Sequence, residues 1–454
     1  MLARMQEVNR VSPSFCTAKW VQSTVYLMNG FTHSCHHPPT HKVPLAEIRQ
    51  DPSALHNTKY KLEQRRQMLA GLRPKECQYC WNIEDLPQAR ISDRVYKSTD
   101  LEWSYPFLAE VQSAGATQKI APTYLEVAFE NTCNFKCAYC SPDISSKWME
   151  EIREHGPYPT SRRTGSLDWI EKNGKSPISR TEHNPYIEAF WKWWPELYRS
   201  LKTFRITGGE PLLSQNTWKI LDEIQRDPKP DLNLAINTNM DVPEQLISRL
   251  IEYHNAIAPR VRSFEIYTSA EAAGRAAEYI RFGMQYDRFL GNVRRFLRET
   301  RADSRINFMV TFNALSVTTF TKFLEDLWNL RVEFNEDDAA NRVPMMISYL
   351  RWPPFLSCQI LPAEIKRRYI GEIKDYANSR TRVTSPLKTG RFYLEEIDQI
   401  ERLGDFMLLE PPELRRDRAD FSLFCDEYDR RRGTDFRAVF PELMEWRENA
   451  QAFG

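Results

Sequence analysis

Six short runs rich in apolar residues punctuate the middle of the chain: Tyr124 to Glu130, Leu201 to Thr207, Leu232 to Asn239, Arg262 to Ser269, Ile306 to Asn313 and Val343 to Arg351. Each has the length of a strand, and the segments between them carry helix-like patterns. This alternation predicts an α/β fold in which six strand–helix units form an open parallel barrel, a partial (βα)6 architecture with ligands at the C-terminal strand ends. Between the first two strands, Phe190-Trp-Lys-Trp193-Trp194 reads as the inner face of a helix, because tryptophans mainly contribute buried area.

Three further stretches flank that core. Residues 1–97 hold four of the nine cysteines and read as a small domain of their own, 98–122 as a connector, 123–361 as the barrel, and 362–454 as a helical C-terminal extension. The extension is broken at Arg432-Gly-Thr-Asp-Phe-Arg before Pro441, and Arg430-Arg-Arg432 reads as a solvated helix face.

The candidate chemistry begins where the first strand run ends, at Asn131-Thr-Cys133-Asn-Phe-Lys-Cys137-Ala-Tyr-Cys140. Three thiolates spaced Cys-x3-Cys-x2-Cys can hold three corners of a [4Fe–4S] cube and leave the fourth iron open. A structural zinc site would want four closed ligands, and a disulfide framework an even count in an oxidising compartment. The second strand run ends in Phe204-Arg-Ile-Thr207-Gly208-Gly209-Glu210-Pro211. Its glycines allow close backbone approach to a ligand, and its carboxylate can pair with an ammonium group.

Taken together, Cys133, Cys137 and Cys140, with Tyr139 before the last cysteine and Gly-Gly-Glu some seventy positions later, resemble the radical S-adenosylmethionine (SAM) superfamily. The resemblance implies that the three cysteines hold a [4Fe–4S] cluster. Its open iron would bind the amino and carboxylate groups of SAM, which is then cleaved to a 5′-deoxyadenosyl radical that abstracts hydrogen from the substrate. It places Gly208, Gly209 and Glu210 at the SAM amino group, Tyr139 near the adenine, and Ser269 and Arg281 near the SAM carboxylate, where a permanently charged guanidinium suits an anion. Asn239, at the end of the third strand run, is a candidate ribose contact, with an ordinary turn asparagine as the plainer alternative. An electron donor such as flavodoxin or ferredoxin is implied as a partner.

Cys16, Cys35 and the pair Cys77 and Cys80 form a second constellation before the barrel. Four thiols so divided can close a tetrahedral site or saturate a second cube. They resemble the auxiliary-cluster domain, SPASM or the shorter Twitch form, of many radical SAM enzymes, although that domain usually follows the barrel. The resemblance implies a second [4Fe–4S] cluster, and it makes peptide or protein modification the first reading of the substrate and a small metabolite, such as a sugar or cofactor precursor, the second. Zinc competes for this site because His33, His36, His37 and His41 crowd around Cys35, and a zinc-containing binding module without catalysis is the reading from another class. Cys358 and Cys425 read as small buried hydrophobes.

Composition narrows the picture only a little. Sixty-two basic residues against sixty-one acidic ones leave a formal charge of +1, so nothing draws the chain as a whole to nucleic acid or an anionic membrane. The N-terminus lacks an apolar signal core and no run of eighteen apolar residues occurs, which with reduced, metal-ligating cysteines leads to the expectation of a cytoplasmic enzyme.

Overall fold

The computed structural model describes residues 1–88, 90–335, 341–381 and 390–452. Its strands are β1 (Gln22–Tyr26), β2 (Phe31–His33), β3 (His41–Lys42), β4 (Tyr124–Ala128), β5 (Lys136–Cys137), β6 (Thr203–Thr207), β7 (Asn233–Asn237), β8 (Ser263–Ser269), β9 (Arg281–Phe282), β10 (Ile306–Phe312) and β11 (Met345–Tyr349). All six strands read from the apolar runs are present as β4, β6, β7, β8, β10 and β11, each alternating with helix. The chain divides into two compact units, one made of Met1–Asn131, Glu171–Ile236 and Ala258–Ser263, the other of Thr132–Ile170, Asn237–Ile257 and Phe264–Gly454.

In the first unit β4 pairs in parallel with β6, and β6 with β7. On its other edge β4 pairs in parallel with β1, Gln22 opposite Tyr124 and Tyr26 opposite Ala128, and β2 and β3 continue antiparallel from there. The N-terminal segment thus extends the sheet. The helix Pro185–Ser200 buries Tyr186, Ala189, Phe190, Trp193, Trp194 and Leu197 along one stripe, the spacing that a helix lays on a core, and Phe190 meets Phe129 edge-on at 5.1 Å. The tryptophan run is the inner face that the sequence implied.

In the second unit β8, β10 and β11 are parallel neighbours. Strand β8 alternates strictly, burying Phe264, Ile266 and Thr268 and leaving Ser263, Glu265, Tyr267 and Ser269 half-exposed, so one face packs while the other stays open to a ligand. Helix Tyr286–Glu299 buries Tyr286, Phe289, Leu290, Val293, Phe296 and Leu297, an i, i+3, i+4, i+7 pattern that docks it on the strands.

The C-terminal helices Ala363–Asn378, Leu394–Leu408 and Leu414–Arg432 belong to this unit, and a buried ion pair fastens each of the last two. Arg331 bonds Glu396 through two nitrogens, one at 2.9 Å, and Glu396 also accepts the Met345 amide of β11 at 3.0 Å. Arg432 grips Glu151 with two bonds of 3.0 Å and donates to the Lys136 carbonyl of β5. Here the expectation of a solvated Arg430-Arg-Arg432 face is corrected: Arg432 is 8% exposed, because Gly433 ends the helix in the left-handed conformation and leaves its last arginine turned into Trp148, Phe282 and Tyr428.

Candidate functional site

The loop Thr132–Cys140 is fixed from three sides within the second unit. Ser145 and Ser146 start the following helix, and their hydroxyls bond the Phe135 carbonyl at 2.9 Å and receive the Cys133 amide at 3.2 Å. Asn134 donates to the Asp241 carbonyl at 2.9 Å, and Trp148 donates to the Cys137 carbonyl at 2.7 Å. Behind the loop, Gly283 has φ +108°, and a Cβ there would lie 2.8 Å from the Asn134 carbonyl oxygen, so the approach requires glycine. Cys133, Cys137 and Cys140 are half-buried and in no disulfide.

Facing the loop is a ribbon the sequence did not announce. Strand β9 pairs antiparallel with β5, and Cys137 stands opposite Arg281. The Arg281 Nη1 donates to the Cys137 sulfur at 3.8 Å, while Nε and Nη2 reach Glu271 Oε2 at 3.2 and 2.6 Å. Tyr139 completes the group, its hydroxyl 3.2 Å from both Glu271 oxygens and in contact with Arg281 Nη2. Burial works against the charge of Arg281, but Glu271, Tyr139 and Cys137 outweigh it and hold the guanidinium ionised. Burial pushes the Cys137 thiol up, with Arg281 pulling the other way.

Asn239 lies in this unit too, but its side chain is engaged: Nδ2 donates to Asn134 at 2.8 Å and Oδ1 accepts the Asp241 amide at 2.9 Å. It therefore braces the cysteine loop. Ser269 ends the half-exposed face of β8.

Gly208, Gly209 and Glu210 belong to the first unit. Gly208 has φ +127°, and a Cβ would come within 2.8 Å of the Glu130 carbonyl oxygen, which also accepts the Gly209 amide at 3.1 Å. Glu210 is 2% exposed and caps the turn Pro211–Leu213 by accepting the Leu212 amide at 3.0 Å.

Also in the first unit, Cys16, Cys35, Cys77 and Cys80 line one pocket, together with Lys19, His37, Asp93, Arg94 and Lys97. All four are free thiols. Burial pushes Cys77 up to about 12 and Cys80 to about 11, with Lys19 opposing at Cys77. Lys19 is itself buried in an ion pair with Glu76. The neighbouring histidines have other partners: His33 bonds the Cys35 carbonyl, His41 meets Thr58 at 3.0 Å, and His37 and His36 reach Asp93 at 2.7 and 3.5 Å. Among the described residues, His36, His37 and Asp93 form the group whose ligand atoms all lie within 4.8 Å of one another. Among the described residues, neither cysteine set brings three sulfurs within 4.8 Å of one another.

Residues 127–327 match the family model described as the radical SAM superfamily. This stretch is a radical SAM domain. Its similarity extends to proteins named GTP 3',8-cyclase: that of Sulfurovum sp. (strain NBC37-1) is 26% identical over 127 residues, 28% of this chain and 30% of the relative. Those of Campylobacter lari and Hydrogenovibrio crunogenus (strain DSM 25203 / XCL-2) are 25% and 32% identical over 122 and 117 residues. The match thus spans less than a third of the length of these relatives, 26 to 30%.

Within the radical SAM domain the structure brings Cys137, Tyr139 and Arg281 together around Glu271, which the sequence reading missed. Its signal was available, an acid two residues beyond Ser269 at a strand end, but only the fold puts it against an arginine ten positions on. Cys358 and Cys425 are fully buried, and burial pushes the Cys358 thiol up to about 12, in keeping with packing roles. Among the described residues no helix is long and apolar enough to cross a membrane.

Proposed function

We propose that the protein is a radical SAM enzyme whose [4Fe–4S] cluster is held by Cys133, Cys137 and Cys140. The observation that carries the reading is the loop itself: three half-exposed cysteines, none in a disulfide, on a backbone braced by Ser145, Ser146, Asn134 and Trp148. With SAM bound, the cluster would supply a one-electron cleavage that yields a 5′-deoxyadenosyl radical able to take hydrogen from a substrate. The chain's own residues bind and orient. By the family resemblance Gly208, Gly209 and Glu210 would serve the SAM amino group, Tyr139 would serve the adenine and Ser269 the carboxylate, while Asn239, read from sequence as a ribose contact, instead braces the cysteine loop through Asn134 and Asp241. Cys16, Cys35, Cys77 and Cys80 would hold a second [4Fe–4S] cluster; with four thiolates it has no open iron and serves electron transfer.

For the substrate, the relatives named for GTP support a small metabolite. The four-cysteine pocket, through its SPASM or Twitch resemblance, supports a peptide or protein. Anaerobically reconstituted protein should hold about eight irons and release 5′-deoxyadenosine when reduced with SAM. Zinc without iron would instead identify a binding module. Deuterium passing into 5′-deoxyadenosine from labelled nucleotides, or from labelled peptides, decides the substrate class.

A further inference from the structure

We infer that Arg281 acts on the cluster through the sulfur of Cys137, with Glu271 as the positioning residue that holds it there, and is not the partner of the cofactor's carboxylate. This rests on the reading of Cys133, Cys137 and Cys140 as cluster ligands.

The geometry leaves the guanidinium little freedom. Arg281 is 6% exposed and Glu271 1%. Nε and Nη2 both end on Glu271, Nη2 also touches Tyr139, and Nη1 points at Cys137 Sγ from 3.8 Å. The register of the ribbon fixes this, since Arg281 and Cys137 are paired residues. Swinging Arg281 onto a ligand would strand the Glu271 carboxylate in a buried site without its counter-ion, an expensive arrangement.

A hydrogen bond and a positive charge at a ligating sulfur favour the cluster state that carries one more electron. The electron comes from an external reductant, and no proton need accompany it because the guanidinium stays charged throughout. Arg281 would therefore make the cluster easier to reduce, before any cofactor binds.

The test compares the full-length native chain with Arg281→Met and Arg281→Lys, reconstituted anaerobically, by potentiometric titration followed by electron paramagnetic resonance without SAM, and by SAM binding. Arg281→Met should keep its iron and shift the midpoint negative by at least a tenfold change in the reduction equilibrium, about 59 mV for one electron. Its SAM affinity should stay within about threefold, and Arg281→Lys should fall between the two in potential. An unchanged SAM-free potential with SAM affinity weakened tenfold or more would overturn the inference. Should Arg281→Met fail to fold, native protein grown with 15N-arginine serves: its reduced, SAM-free cluster should show a weak 15N coupling that Arg281→Lys loses, and no coupling would sink the idea. A native chain that takes up no iron would refute the cluster reading itself, a different result from either.

Discussion

Cys137 and Arg281, 144 positions apart in the chain, are cross-strand partners, and the guanidinium that meets the sulfur is held from behind by Glu271. A candidate cluster ligand is thereby coupled to a buried ion pair of the same unit. The consequence is that the charge environment of the cysteine loop is set by backbone register and does not depend on a mobile surface side chain.

The two cysteine sets should behave as separate centres. Cys137→Ala is expected to abolish SAM cleavage and to lower iron from about eight to about four per chain. Cys77→Ala should remove the other four and leave the three thiols of the radical SAM domain loaded. Iron and sulfide analysis with 5′-deoxyadenosine quantification checks both, and loss of all iron in Cys137→Ala would contradict independent sites.

Gly208→Ala should be costly in two ways. Its φ of +127° strains any L side chain, and the new Cβ would press on the Glu130 carbonyl oxygen from 2.8 Å, a backbone atom that cannot turn aside. A loss of about 3 kcal/mol is expected from strain and clash together. Denaturant unfolding measures it, and SAM binding should fall with it.

Lys19 and Glu76 form a buried pair beside the four-cysteine pocket, their side chains 3% and 6% exposed. Lys19→Met leaves the carboxylate buried and uncompensated, which should cost about 3–5 kcal/mol. Adding Glu76→Gln should recover much of that. If the double variant is no more stable than Lys19→Met, the pair is not what the single substitution breaks.

His254 gives the second unit an acid-sensitive element. It is fully buried, its Nε2 meets the Phe264 carbonyl at 2.9 Å, and burial lowers it from 6.5 to about 4. Its Nδ1 has no hydrogen-bond partner among the described residues, so a second proton would be stranded. The folded state therefore keeps His254 neutral while the unfolded chain takes up a proton, and stability is full above pH 6.5 and falls by about 3 kcal/mol toward pH 4. His254→Gln should flatten that part of the acid-unfolding profile.

The six parallel strands were legible because burial of one face writes an apolar pattern into five to seven consecutive residues, as in β8. The cysteines and the Gly-Gly-Glu stretch stood out as candidates because their chemistry lies in residue type and, for Cys133, Cys137 and Cys140, in close spacing. Other features were invisible for a shared reason. The parallel pairing of β1 with β4 joins residues about a hundred positions apart, the β5–β9 ribbon is only two residues long, and Arg432 looks like the exposed Arg430 in any local window.

Sequence alone thus determined which atoms could ligate, and on which strand ends they stand. Tertiary structure decided what surrounds them: that Glu271 neutralises Arg281, that Asn239 braces Asn134, and that Lys19 is buried with Glu76. Ligating power belongs to a side chain's own chemistry and is carried by composition and spacing. The environment of a charge depends on groups brought in from distant positions, and only the folded chain makes those neighbours.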